Sequence, residues 1–424
     1  MGSAVATLGD VDKDGVDDYA VGSSRWSDRG RVIVFSGATG ATLLEILGIE
    51  YADDGLGTSV AGLSDLDGDG YPEILIGAPY FSFPVIGAAI VYSTKDGSEL
   101  RLHSGRCCYT YFGVNVAALK DVDGDGVNDY AVHAQEDTST ARNAGRVYVY
   151  SGATGAELWS VFGIGSYDDL GRSLSNGGDI DGDGYSDVIC GGLGGSSGGG
   201  HFDGYSGKTG ALLFRIDAIE AMEQFGSSCD MVGDADGDGV GDYLVGAISN
   251  THDGRGYSGR ATLYSGRTLR PLYTFYPGYR NAGFGYVVRG GSDFNRDGID
   301  DFVISGPYVG LYPGPIGGRV SIFAGNDLYL QADKADAVPG DSVTFDTRGG
   351  VPGSFAELVL VDISGTPMFE PLDFGFLDVN GELSSTLGVP DEATGLDFTF
   401  ISYAVKLTHK PKWNDSSTVV VAVQ

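Results

Sequence analysis

The stretch Asp121-Val122-Asp123-Gly124-Asp125-Gly126-Val127-Asn128-Asp129 sets acidic side chains at alternate positions and a glycine at its sixth. Related loops begin at Asp10 (DVDKDGVDD), Asp65 (DLDGDGYPE), Asp179 (DIDGDGYSD), Asp234 (DADGDGVGD) and Asp293 (DFNRDGIDD). In chain order the six starts lie 55, 56, 58, 55 and 59 residues apart. A period that steady identifies stacked supersecondary units.

Each unit has the same parts. A hydrophobic residue and glycine come first, as in Leu56-Gly57, Phe112-Gly113, Leu170-Gly171, Phe225-Gly226 and Phe284-Gly285. An apolar strand, the acidic loop and a second strand such as ILIGAP follow. A variable loop then leads to a third strand (GRVIVF, GRVYVY, GRATLY), and a turn of the SGATG type leads to a fourth. Four short antiparallel strands cannot cover both of their own faces, and radial packing around an axis buries them between neighbours. The expected fold is all-β: a six-bladed propeller of four-stranded blades over residues 1–325. A smaller β-sandwich of immunoglobulin or fibronectin type is expected over 326–424, where the period stops and seven further strands can be read. The sixth unit lacks the Ser-Gly-x-Thr-Gly turn before a fourth strand. NDLYLQA, residues ahead of Met1, or a strand from another subunit are the alternatives for closing it.

Positions 1, 3, 5, 7 and 9 of each loop suit a hard cation, because alternate residues of a tight turn converge on one point. The candidate ligands of the first unit are Asp10, Asp12, Asp14, the Val16 carbonyl and Asp18. The second offers Asp65, Asp67, Asp69, Tyr71 carbonyl and Glu73, and the third Asp121, Asp123, Asp125, Val127 carbonyl and Asp129. The fourth offers Asp179, Asp181, Asp183, Tyr185 carbonyl and Asp187. The fifth has Asp234, Asp236, Asp238, Val240 carbonyl and Asp242, and the sixth Asp293, Asn295, Asp297, Ile299 carbonyl and Asp301. The side-chain positions hold 23 carboxylates and one Asn, a donor set that selects Ca²⁺ over Zn²⁺ or Mg²⁺. Position 12 is apolar (Val21 and Ile76 in the first two units), which excludes a helix–loop–helix calcium hand. Six structural Ca²⁺ ions would add +12 to a formal charge of −32, leaving −20.

That negative charge argues against nucleic-acid or anionic-membrane partners, and no stretch has the apolar length of a membrane span. The first ten residues, MGSAVATLGD, have neither the basic nor the apolar part of a signal peptide and open inside a repeat. The four cysteines are the vicinal pair Cys107 and Cys108 with Cys190 and Cys229. The last two fall in core strands of neighbouring units, as buried free thiols or as an interblade disulfide. Histidines 103, 133, 201, 252 and 409 show no metal-ligand spacing. Gly195-Ser196-Ser197-Gly198-Gly199 fits G-x-S-x-G but lies in a Gly/Ser loop. The reading is therefore non-catalytic, with no catalytic residue assigned.

The Phe-Gly elements, the acidic loops and the intact Gly77-Ala78-Pro79 resemble the FG-GAP repeat of bacterial surface proteins and of the integrin α-subunit propeller. The Gly-Ala-Pro element is partial elsewhere, and His133 replaces its glycine in the third unit. The resemblance covers about three quarters of the chain. It implies a calcium-binding extracellular module, secreted or at the surface of a bacterial cell. It also implies partner binding through loops opposite the calcium face. Aromatics of those loops, Trp26, Tyr80, Phe81, Phe83, Tyr257, Tyr308 and Tyr312, are candidates for contact with a glycan or protein. The alternatives are a structural subunit that self-assembles by strand exchange and, behind it, a polysaccharide-acting enzyme.

Overall fold

The computed structural model describes the chain apart from residues 1, 49–53, 82–85, 107–108, 196–197, 236–237, 252–255, 278–281, 293–299, 309–317 and 324–328; after 328 it describes strands alone. The first blade is β1 (Val5–Gly9), β2 (Asp18–Gly22), β3 (Arg31–Phe35) and β4 (Thr42–Leu47). The second is β5 (Ser59–Gly62), β6 (Glu73–Ala78), β7 (Ala88–Ser93) and β8 (Glu99–Ser104). The third is β9 (Phe112–Ala118), β10 (Tyr130–Ala134), β11 (Arg146–Tyr150) and β12 (Glu157–Phe162). The fourth is β13 (Ser173–Gly178), β14 (Asp187–Gly192), β15 (His201–Tyr205) and β16 (Leu212–Asp217). The fifth is β17 (Phe225–Met231), β18 (Tyr243–Ala247), β19 (Arg260–Tyr264) and β20 (Pro271–Phe275). The sixth has β21 (Val288–Ser292), β22 (Asp301–Gly306) and β23 (Arg319–Phe323).

Within each blade the strands pair antiparallel in chain order. The first strands of successive blades pack on one another and so surround the axis. Ser3, just ahead of the first blade, shares a cavity wall with Tyr286, Val287 and Arg289 of the sixth, so the ring returns on itself. The protein is thus a six-bladed β-propeller.

Middle strands such as β6, β10, β11 and β19 are buried along their length, whereas outer strands such as β8 alternate. The Phe-Gly elements explain how blades join. Leu56, Phe112, Leu170, Phe225 and Phe284 are buried between blades. Phe112 forms an isolated parallel bridge to Gly87 of the preceding blade, as do Leu56 to Gly30, Phe225 to Gly200 and Phe284 to Gly259. The glycine after each anchor has positive φ, 85° at Gly57 and 87° at Gly113, a conformation that disfavours other residues. A Cβ on Gly77 would collide with the Gly113 carbonyl of the next blade, which accounts for the glycine of the Gly-Ala-Pro element. Ser59, Ser173 and Ser228 repeat one interblade hydrogen bond, each hydroxyl donating to the carbonyl of Gly113, Gly226 or Gly285 at 2.9, 2.7 and 2.7 Å.

Cys190 and Cys229 are buried free thiols, which removes the interblade disulfide. Cys107 and Cys108 lie outside the described residues.

NDLYLQA does not complete the sixth blade. Its strand, β24 (Tyr329–Ala332), pairs with β26 (Ser342–Arg348). The remaining strands are β25 (Asp336–Ala337), β27 (Phe355–Ile363), β28 (Thr366–Phe376), β29 (Leu383–Gly388), β30 (Asp397–Lys406) and β31 (Lys412–Val423). They form a sheet β24-β26-β29 and a sheet β25-β31-β30-β27-β28. All seven strands expected in this segment are present, and the two-residue β25 is added.

Candidate metal centres and the opposite face

The acidic loops join the first and second strands of the blades, at one end of the propeller. Their backbone is wound around their own carboxylates. Position 1 accepts the glycine N–H at position 6, at 2.9 Å for Gly15 to Asp10 and 2.8 Å for Gly126 to Asp121. Position 3 accepts position 5 (Asp125 N–H to Asp123, 3.1 Å), and position 5 accepts position 7 (Val127 N–H to Asp125, 2.8 Å). Successive Asx turns thereby hold the acids on the inside of the bend.

Position 9 opens the second strand or immediately precedes it, and is buried: Asp18, Glu73, Asp129, Asp187 and Asp242 are all fully enclosed. One oxygen accepts the N–H of position 2, as from Val122 to Asp129 at 2.7 Å. The other accepts a glycine N–H from the turn between third and fourth strands: Gly37, Gly152, Gly207 and Gly266 at 2.9, 2.7, 2.8 and 2.9 Å. The second blade departs from this pattern. Thr94 stands where the others have glycine, and a Glu occupies position 9. Glu73 keeps the bond from the Leu66 N–H, but its Oε1 is buried with no hydrogen-bond partner.

Four loops bring carboxylate oxygens within 4.8 Å of one another: Asp10, Asp12 and Asp18; Asp65, Asp67, Asp69 and Glu73; Asp121, Asp123 and Asp129; Asp179, Asp181 and Asp187. Burial, opposed by the backbone bonds and reinforced by neighbouring acids, pushes Glu73 up to about 7 and Asp129 up to about 6. The same causes raise Asp187. Carboxylates this close repel one another, most strongly around the buried position-9 member, and a cation among them would relieve it. The orphaned Glu73 Oε1 and the all-oxygen donor set fit a hard divalent ion. Asp14, Asp125 and Asp183 lie outside these groupings; each is engaged with the N–H of position 7. Of the fifth loop, Asp234, Asp238 and Asp242 are described and repeat the same bonds, while Asp236 lies outside the described residues. In the sixth, Asp301 is buried and Asp293, Asn295, Asp297 and Ile299 lie outside them.

The loop aromatics occupy the other end. Tyr80, Tyr257 and Tyr308 are exposed. Trp26 is half-buried beneath Arg31 and Arg29, whose guanidinium carbons lie 4.5 and 5.2 Å from its ring. Phe81 packs against the core between the first two blades. Phe83 and Tyr312 lie outside the described residues.

Two features of this end were not anticipated. One is a set of buried ionic pins at the start of the third strand. Arg260 is held by Glu223 at 3.1 Å, and Arg146 lies 3.9 Å from Asp137. In the fourth blade a histidine replaces the arginine: His201 bonds Asp168 at 2.8 Å and Asp203 at 3.0 Å, and Arg215 grips Asp203. Burial opposes charge on His201, but the two carboxylates prevail and raise it to about 9. Burial likewise opposes charge on Asp203, and Arg215 and His201 hold it below its ordinary value. The visible signal was His201 following Gly200 where the first, third, fifth and sixth units read Gly-Arg.

The second feature is an axial cavity of about 320 Å³, walled by the beginnings of β9, β13, β17 and β21 and the end of β10. It therefore opens at the end away from the acidic loops.

Comparison with known proteins agrees with this architecture. Residues 56–97 match the family model described as the FG-GAP repeat. The chain is similar to the integrin α subunits. It is 30% identical over 191 residues to rat (Rattus norvegicus) integrin alpha-7, covering 41% of this chain and 16% of that protein. It is 31% identical over 213 residues to integrin alpha-5 of Xenopus laevis, covering 46% and 20%. With integrin alpha-V of Gallus gallus it shares 30% over 214 residues, again 46% and 20%. The matched region thus spans a fifth or less of these relatives' length. Among the described residues, no helix is long and apolar enough to cross a membrane.

Proposed function

We propose that this chain is a non-catalytic extracellular binding module, stabilised by Ca²⁺ in its acidic loops and engaging a glycan or protein through the opposite face. The observation that carries the reading is the convergence of carboxylates in four loops of one design, with the Glu73 Oε1 buried and unpartnered among them. The six sites would use the alternating residues from Asp10–Asp18 through Asp293–Asp301 set out above. Millimolar calcium suits loops of this kind and favours a secreted or surface location. The likeness to integrin α subunits supports binding over catalysis. We place the division between propeller and C-terminal segment at 325/326. The test is thermal unfolding with and without EDTA, paired with a glycan array. An unchanged melting temperature removes the calcium reading; an empty array removes the glycan.

A second reading, strand exchange between chains, is favoured by β23. Val320 and Ile322 are 66% and 58% exposed there, whereas β11 and β19 at the same place in other blades are buried throughout. Concentration-dependent oligomers in sedimentation velocity would support it, and a monomer at all concentrations would dismiss it.

A further inference from the structure

The axial cavity differs in chemistry from the rest of the molecule. The chain has 58 acidic residues against 26 Lys and Arg, yet among the described residues no Asp or Glu lines this cavity. Its charged walls are Arg172 and Arg289, from the fourth and sixth blades. Arg172 is balanced only loosely, 3.8 Å from Asp169. Arg289 makes no salt bridge among the described residues; its one bond is to the neighbouring Val288 carbonyl.

His133 supplies an independent observation. Its position in the second strand belongs to glycine in four other blades (Gly22, Gly77, Gly191 and Gly246). The imidazole is 2% exposed, lines the cavity, and has no hydrogen-bond partner at Nδ1. Its Nε2 faces Asp169 Oδ1 at 3.3 Å outside hydrogen-bonding geometry. A buried polar atom without a partner is unfavourable, and this one belongs to a residue of the cavity wall. The space is at the small end of the ligand-pocket range, suited to one ring and not to a chain buried along its length. The Asn115 amide donates to the Gly171 and Arg172 carbonyls at 3.4 Å and that of Gln135 to Asp169 at 3.3 Å, so the two add carbonyl acceptors, and Tyr286, 44% exposed, adds an aromatic edge.

We propose that this cavity binds a carboxylated sugar ring of the hexuronate class. Arg172 and Arg289 receive the carboxylate, for which a guanidinium fork is matched. His133, Asn115 and Gln135 take ring hydroxyls, and Tyr286 covers an apolar face of the sugar. The assignment rests on the proposed use of this face for binding and names its ligand.

Isothermal titration of the full chain in calcium buffer tests it, with glucuronate, galacturonate, glucose, N-acetylaspartate and sulfate as probes. A hexuronate is expected to bind at least about tenfold more tightly than glucose, N-acetylaspartate or sulfate, with the preference coming from paired charge and hydroxyl contacts. Arg172→Gln and Arg289→Gln should each weaken it about tenfold, as expected when a charged hydrogen-bond partner is lost. His133→Gly, which restores the residue of the other blades, should weaken it while leaving the melting temperature near that of the parent. Equal binding of sulfate, or tighter binding of N-acetylaspartate, overturns the sugar assignment, as does absence of hexuronate binding. The glycan array separates the levels. Array binding that survives Arg172→Gln and Arg289→Gln overturns the cavity and leaves the face standing; no binding to any glycan, sugar acid or protein by the parent overturns both.

Discussion

The two ends of the propeller solve the same problem differently. At one end, each first-to-second strand turn carries nearly the same acids, and in the first, third, fourth and fifth blades a buried position-9 carboxylate ties it to the next turn of its blade. At the other, the blades are pinned by Arg146–Asp137, His201–Asp168 and Arg260–Glu223. The cation always opens the third strand but changes type, and the acid stands just before the anchor in the fourth and fifth blades and in the loop after β10 in the third. A cation held as proposed would impose one donor set on every loop, which accounts for the repetition at that end. An internal ion pair needs only complementary partners, so the other end is free to vary. That freedom is where His133, Arg172 and Arg289 arise.

The largest expected effect falls on the repeating end. With free Ca²⁺ at ~10 times the dissociation constant of such loops, each site contributes about 1.4 kcal/mol and six contribute roughly 8. Removing calcium should therefore lower the melting temperature by many degrees and expose the propeller to protease. Asp129→Ala, which also strips hydrogen bonds from Val122 and Gly152, should cost about 3 kcal/mol in urea unfolding with calcium present. A loss no larger than that of an exposed acid would show that position 9 does not brace the blade.

The variable end should answer to pH. His201 is raised from 6.5 to about 9, so its contribution is complete below pH 6.5 and is lost as pH rises through 9. Unfolding free energy should fall by about 3 kcal/mol across that window, and His201→Gln should flatten the slope. A profile identical in the variant would mean the imidazole is neutral in the fold.

Smaller effects sharpen the comparison within the metal end. Glu73→Asp alone should cost about 1 kcal/mol, because the shorter side chain gives up the Leu66 bond or meets no turn N–H. Pairing it with Thr94→Gly should recover most of that, since the pair recreates the arrangement of Asp129 and Gly152. Lys95→Ala, which removes an exposed 3.4 Å bridge to Asp69, should change stability by less than about 0.5 kcal/mol.

The blade count and the loop positions were readable because successive Asx turns around a buried position-9 acid demand fixed residue types at fixed spacing. The Phe-Gly anchors were readable for the same kind of reason: a positive φ and a close interblade contact restrict the position after the anchor to glycine. The substitution of His133 for glycine was visible in the sequence, but its lack of a partner depends on side chains from the neighbouring blade. The link between Glu73 and Thr94 was not visible either, since it needs the register that places a turn 21 residues away over position 9. Arg172 and Arg289 sit 117 residues apart and meet only because the ring brings the fourth and sixth blades to one axis. The family match over 56–97 falls on the unit whose Gly-Ala-Pro element is intact, while the other units keep the geometry with fewer of the letters.

In the five complete blades all four strands are consecutive in the chain, so no strand is borrowed across the ring. A blade is accordingly a removable cassette. New termini placed between two blades, near residue 165 for example, would cut no strand pairing inside any blade. The circle would be held by the same face-to-face packing that joins its other members, and insertion or deletion of one whole cassette would alter circumference before it altered any local bond.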